Sequence, residues 1–516
     1  MLLRGKEVTP TGEQLAIMDA ARTKTASLMI KSYAGCSKST SLELSARVMP
    51  VRPSLYVVFN LKNKKEAEQF MPTHFNTKTV NGLGHEAFGR TIGKRLAVEE
   101  GKLGDLLKIV TKSNPECRDM TRDQFGEVLS LVRRARINGL VPAPFDKQYP
   151  GLITDDDDGW GDVCDSLYME PNEAYIYLAR LLLVESIKQS FNGTVDYDDQ
   201  IYMSALFGGV FTRYPIVMAD EAQDLSTLNR MMIAKAAADR LLVVGDPKQA
   251  IYAWRGADAD SMERFRGLRN DWIDLPLSLT FRCPKVVVAR QQAHAPGFTA
   301  HESNAEGELH NYMKREWTIE EYEGAINGEQ LTILCRNNAP LISAALRIIK
   351  GGRGCTVMGK EIGKTLVSLS KKLIPNDNTS IEDCAARVSA WATKELALAE
   401  ANRKEGHAAV IQDKRECLLA VLESPLCTSA ATLRDLLGRM FAGDNLRITL
   451  GTGHKAKGLE WTHVMHLDPW RVPSKYAVAA KENGNPVPYE QDCNLKYVIE
   501  TRTRNTLTLA NLEEML

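Results

Sequence analysis

The chain has 516 residues, 44% of them hydrophobic and 25% charged, an ordinary globular composition that excludes disorder over the whole chain. Its 65 basic and 65 acidic residues cancel, which excludes a uniformly basic nucleic-acid coat and confines any polyanion site to a local patch. At about 100–200 residues per domain the length predicts three or four domains.

No stretch approaches the ~18 uninterrupted apolar residues of a membrane span. The opening MLLRGKEVTPTGEQ has no apolar core of secretory length. The ten cysteines include no C-x-x-C pair, so reduced thiols are expected rather than a disulfide framework or a zinc site. These features predict a cytoplasmic protein with no membrane partner.

In chain order, residues 26–31 (ASLMIK) read as a buried parallel strand and lead into SYAGCSKST at 32–40. Residues 60–95 carry seven Lys/Arg against three Asp/Glu. Residues 92–200 are mainly helical in pattern, and within them 153–173 hold eight acids and no base. Residues 215–219 (PIVMA) and 241–245 (LLVVG) read as further strands, ending in DEAQD and DPKQAIYAWRGA. Similar strands follow at 331–335, 355–358, 446–450, 463–467 and 506–509, interrupted by a helical stretch at about 376–440. The prediction is an α/β protein with two parallel-sheet lobes, each carrying a mainly helical insertion. In such sheets ligands gather beyond the carboxyl ends of strands.

SYAGCSKST approximates a P-loop, G-x-x-x-x-G-K-[ST] between a strand and a helix. Backbone N–H groups over Ser32, Ala34, Gly35, Cys36, Ser37 and Thr40 would cradle phosphates. Lys38 would reach the β/γ-phosphates and Ser39 would bind Mg²⁺. Ser32 and Ser37 stand where the motif has glycine, which costs backbone range. In DEAQD, Asp220 sits where a carboxylate would hold Mg²⁺, and Glu221 where a base for the attacking water would sit. Gln249 follows a strand end and would sense the γ-phosphate. Tyr252 and Trp254 beside Arg255 suit stacking with single-stranded bases.

With these segments the chain resembles a superfamily 1 helicase of the UvrD/Rep/PcrA type, and within it the compact F-box DNA helicase branch. The resemblance runs through nearly the whole chain. It implies two RecA-like lobes with ATP between them, and adenine contact by Gln14 in TPTGEQ. It implies DNA contact by Phe59 and Asn60 in YVVFN, and by Thr79 and Asn81 in TVNGL, where Asn81 replaces the usual His. LSLTFRCP then supplies Arg282 for the γ-phosphate. GTGHKAKGLEW supplies His454 for phosphate or DNA, and Glu460 as a coupler and ribose contact. NLKYVIETRTRN supplies Arg502 as an arginine finger. VDYDDQIYM at 195–203 resembles the segment that re-enters the first lobe.

The implied division is residues 1–91 and 195–278 for the first motor domain, with a helical insertion at 92–194. Residues 279–375 and 445–516 form the second, with a short insertion at 376–444. The implied activity is ATP- and Mg²⁺-dependent translocation on single-stranded DNA, 3′→5′, with strand separation at single-strand/duplex junctions. A monomer is expected, in a bacterial or phage-infected cell, with replication or recombination proteins as partners. Two other readings share these residues: a single-strand-binding remodelling protein with an impaired motor, and a translocase that displaces proteins with little unwinding.

Overall fold

A computed structural model describes residues 2–4, 6–114, 120, 122–167, 169–252, 260–401, 405–442 and 447–516. The chain divides into two units, Met1–Ser32 with Ser37–Leu277, and Tyr33–Cys36 with Ser278–Leu516. Among the described residues no helix is long and apolar enough to cross a membrane.

The first unit is built on six strands: β1 (Ser27–Ser32), β2 (Ser54–Val58), β3 (Phe75–Thr79), β4 (Tyr214–Ala219), β5 (Ala237–Gly245) and β6 (Trp272–Leu277). They form one sheet in the order β6–β1–β5–β4–β2–β3, and every neighbouring pair is parallel. Burial on both faces explains why β1, β4 and β5 read as continuous apolar runs. Three sequence-predicted strands thus become the adjacent middle of the sheet, and their carboxyl ends lie side by side. Lys31 pairs with Gly245, and Ala219 with Val243.

Between β3 and β4 the described residues make six helices of ten or more residues, including Lys102–Ser113, Arg122–Asn138 and Glu173–Asn192. One apolar core runs from the sheet (Met29, Leu55, Val217, Val243) into these helices (Leu106, Leu131, Trp160, Leu182). A buried ionic cluster crosses the same junction. Lys102 Nζ donates to Asp199 Oδ2 at 2.6 Å and to Ser186 and Ser190. Arg136 Nη1 donates to Asp196 Oδ1 and Asp199 Oδ1 at 3.0 and 2.7 Å. Asp196 and Asp199 also form a capping box that starts the helix Tyr197–Leu206. The re-entrant segment is therefore pinned from three directions. Breaking one such buried pair typically costs about 3–5 kcal/mol.

The second unit repeats the plan with β7 (Glu308–Tyr312), β8 (Leu331–Cys335), β9 (Cys355–Val357), β10 (Ile448–Thr452), β11 (Trp461–Leu467) and β12 (Thr503–Ala510). The order is β7–β12–β11–β8–β10–β9, again parallel throughout. Helices Lys360–Leu373, Ile381–Ala401, Glu405–Leu422 and Ala430–Ala442 lie between β9 and β10. They share a core with the sheet through Leu366, Leu418 and Phe441. Each unit thus carries a RecA-like parallel sheet with a helical region.

Candidate functional site

The helix Lys38–Val48 starts directly after the loop that follows β1, and its first residue is Lys38. Ser37 caps it with φ +55°, in the left-handed region. That is the conformation for which glycine is usual before a P-loop lysine, so Ser37 carries backbone strain. Ser32 does not. It ends an extended strand, and its Oγ donates to the Gly245 carbonyl at 2.9 Å, tying the end of β1 to that of β5.

Lys38 Nζ donates to Glu221 Oε2 at 2.7 Å. Glu221 has φ +51°, a second non-glycine residue held in the left-handed region. Such strain persists only where surrounding contacts fix it, and it concentrates at functional sites. Gln223 Nε2 donates to Glu221 Oε2 at 2.6 Å, and its Oε1 accepts the Asp246 N–H at 3.0 Å. Asp220, nearly buried at 8% exposure, accepts the Tyr56 hydroxyl on Oδ2 and the Glu221 N–H on Oδ1, both at 2.8 Å. Gln249 Nε2 donates to Asp246 Oδ2 at 2.6 Å.

The electrostatics follow from this packing. Burial pushes the Lys38 ammonium down, but Glu221, Asp220 and Asp246 outweigh it, and its pKa lies above the ordinary lysine value. Burial and the neighbouring Glu221 push Asp220 up, against Lys38 and the Tyr56 hydrogen bond. Burial pushes Asp246 up to about 6, with Lys38 and Gln249 opposing. Ser39 is exposed on the first turn. A serine hydroxyl and an aspartate are hard oxygen donors, and Mg²⁺ is usually held by one or two protein oxygens with water and phosphate completing its shell. The residues present fit that ion.

Gln14 is buried at 3% exposure. Its Oε1 accepts the Thr11 N–H at 3.0 Å, and its Nε2 donates to Ser41 at 3.1 Å. Sequence reasoning reads it as an adenine contact; here it completes the capping box of the helix Gly12–Thr23.

Within the second unit, Gly35 has φ +70°, and a Cβ there would fall 2.5 Å from Arg282 Cβ. The Ala34 N–H donates to Tyr497 Oη at 2.8 Å. Cys36 is buried, and Thr40 lies on the first turn of the helix Lys38–Val48. Arg282 and Arg504 both pair with Glu460. Arg502 is buried, and its Nε donates to the Val498 carbonyl at 3.0 Å. His454 is half-buried on the short helix Gly453–Ala456 that follows β10.

Three of the predicted DNA contacts lie together elsewhere in the first unit. A cavity of about 280 Å³ is lined by Phe59, Asn81 and Tyr252, together with Arg136, Asp198, Asp224 and Asn229 among others. Asn60 and Thr79 do not line it. Asn60 Oδ1 accepts the Asn63 N–H, and Thr79 Oγ1 the Gly82 N–H, each capping a helix. Lys62 and Lys64 lie on the helix Leu61–Ala67, within 4 Å of Glu66 and Glu68. Trp254 and Arg255 lie outside the described residues.

The UvrD/REP helicase N-terminal domain model matches residues 185–268, the stretch that contains Asp220, Glu221, Asp246 and Gln249. F-box DNA helicase protein 1 of Schizosaccharomyces pombe is 24% identical over 542 residues, covering 97% of this chain. Together these two matches support a UvrD-like superfamily 1 helicase. It spans 57% of the length of that yeast relative. A probable DNA helicase II homolog of Mycoplasma capricolum is 34% identical over 23% of this chain and 17% of its own length. A RecBCD enzyme subunit RecB of Mycolicibacterium smegmatis is 33% identical over 24% of this chain and 12% of its own.

For a UvrD-like chain, the residues sequence reasoning missed are informative. Tyr56 and Gln223 support the acidic cluster, Asp246 belongs to it, and Arg136 and Asn229 line the cavity. Asp246 was legible beside Gln249 in GDPKQ. The other four depend on contacts that local sequence does not specify.

Proposed function

We propose that the chain is an ATP-driven motor that moves 3′→5′ along single-stranded DNA and separates strands at single-strand/duplex junctions. The supporting observation is the Lys38–Glu221–Asp220 cluster at adjacent strand ends, in the same unit as an aromatic-lined cavity. Lys38 would exchange its Glu221 partner for the β/γ-phosphates of ATP. That exchange releases Glu221 to take a proton from the attacking water. Ser39 and Asp220 would hold Mg²⁺, which when bound neutralises charge on the phosphate oxygens. Gln249, pinned by Asp246, would report the γ-phosphate. Arg282 and Arg502 of the second unit would stabilise the transferring phosphoryl group, a contribution of roughly 10³–10⁵ in rate for an arginine finger.

Phe59 and Tyr252 would stack bases beside Asn81, with Trp254, Arg255 and His454 as further contacts. Base–aromatic stacking is worth about 1–3 kcal/mol per base. The helical segments 92–194 and 376–444 are insertions in this reading. The working unit is a monomer, with replication or recombination proteins as partners.

The test is unwinding of a duplex bearing either a 3′ or a 5′ single-stranded tail. ATP-dependent unwinding of the 3′-tailed substrate alone is expected. DNA-stimulated hydrolysis with neither duplex opened would replace strand separation by protein displacement.

A further inference from the structure

Among the described tryptophans only Trp470 is exposed, at 56%. It lies on the short turn Pro469–Arg471, three residues beyond the end of β11. Tryptophan is highly buried on average, so an indole left open to water at a strand end points to a ligand.

The loop holds this ring rigidly. Asp468 is buried and has φ +49°, in the left-handed region. Its N–H donates to the Ala510 carbonyl and its Oδ1 accepts the Leu512 N–H, both at 2.8 Å. Its Oδ2 accepts Arg471 Nε at 2.9 Å, and that guanidinium lies over the Trp470 ring, 4.6 Å from its centre. One face of the indole is therefore covered by a cation whose charge Asp468 balances, and the exposed area belongs to the rest of the ring. Strained backbone fixed by surrounding contacts concentrates at functional sites. A rigid indole also offers a large contact area at low cost in ordering entropy.

Position supports the same conclusion, because ligands of such sheets gather beyond the carboxyl ends of strands. β8 lies between β10 and β11. Cys335 pairs with Thr452 and Leu334 with His466, so the three strands end nearly level. The ends that lead to His454 and Trp470 are two strand spacings apart, about 10 Å. About three nucleotides span that distance at ~3.4 Å each.

Resting on the DNA reading above, we infer that Trp470 is a base-stacking residue of the second unit, on which a single strand lays a base against the ring face opposite Arg471. Every base has a π-face, so the contact is tolerant of sequence. Because Asp468 already neutralises Arg471, the platform adds affinity without adding a phosphate contact.

The test is binding of labelled oligo(dT) to the full chain over a range of salt concentrations, without nucleotide, for the wild type, Trp470→Ala and Trp470→Phe. Trp470→Ala is expected to weaken binding by about fivefold or more, and Trp470→Phe, which keeps an aromatic face, to retain most of the affinity. Plots of log affinity against log salt should run parallel for wild type and Trp470→Ala, since their slope reports phosphate contacts. An oligomer of equal length that is abasic throughout keeps the phosphates and lacks the bases, and the two proteins should bind it alike. Wild-type affinity for oligo(dT) in Trp470→Ala overturns the inference, leaves the DNA reading intact and makes another protein the occupant of the ring. Equal weakening on the abasic oligomer, or a changed salt slope, also overturns it. No binding of oligo(dT) by the wild type overturns both readings.

Discussion

Three carboxylates, Asp220, Glu221 and Asp246, surround one ammonium, Lys38, at the ends of adjacent strands. Two of the three are pushed up by burial, and Asp246 reaches about 6. Because Asp246 titrates higher in the folded chain than the ordinary value near 4, its protonated form favours folding. That contribution is complete below about pH 4 and is lost as pH rises through about 6. Asp246→Asn imitates the neutral acid. It should raise the melting temperature at pH 8, by an amount equivalent to roughly 2–3 kcal/mol, and change it little at pH 4; an equal shift at both pH values would contradict this account. Ser37 offers a separate test. A left-handed serine costs about 1–2 kcal/mol, partly offset by the greater chain entropy that glycine loses on folding. Ser37→Gly should raise the urea midpoint by the equivalent of roughly 0.5–1 kcal/mol without lowering turnover. The motif spacing made Lys38, Ser39 and Asp220 legible, and it flagged both serines as departures from glycine. The backbone shows that only Ser37 occupies a position where glycine matters.

At the scale of elements, the helix Val487–Glu500 leads into Thr501 and Arg502, and its last residue is held from outside. Glu500 is fully buried, accepts from Arg290 Nε at 2.7 Å and Gln291 Nε2 at 2.5 Å, and faces His466 Nδ1 at 3.4 Å. Burial alone would raise its carboxyl, but His466 and Arg290 overcome that and hold it at about 2. Glu500→Ala leaves Arg290 without its buried partner and should cost about 3–5 kcal/mol by urea unfolding at pH 7. A depressed carboxylate contributes above its unfolded pKa, so the deficit should shrink as pH falls from about 4.5 toward 2. Strands were legible where burial on both faces made them continuous apolar runs, as in β1, β4 and β5. β6 and β7 escaped such a reading because they lie at sheet edges and include Asp274, Pro276, Glu308 and Asn311. β3 escaped it through the polar residues Asn76, Thr77 and Lys78. Composition alone predicts a solvated loop for the acidic run Asp155–Asp158, and Asp155 departs from it. It is instead buried against the Trp160 indole N–H at 2.6 Å and Arg180 at 2.8 Å, partners that come together only in the folded helices.

Over the whole molecule, each unit carries its own parallel sheet, and the proposed motor draws groups from both. Lys38, Asp220, Glu221 and Gln249 come from the first, and Arg282 and Arg502 from the second. Lys38 does not line the cavity proposed to bind DNA, so a Lys38 variant is expected to keep that binding. The most direct test of the motor is steady-state ATP hydrolysis with and without single-stranded DNA, in the wild type and in Lys38→Ala. The account predicts marked stimulation by DNA and a fall of about 10²-fold or more in the variant, with DNA binding retained. Wild-type hydrolysis no faster than that of Lys38→Ala, with DNA still bound, would contradict it and leave a single-strand-binding protein without a working motor.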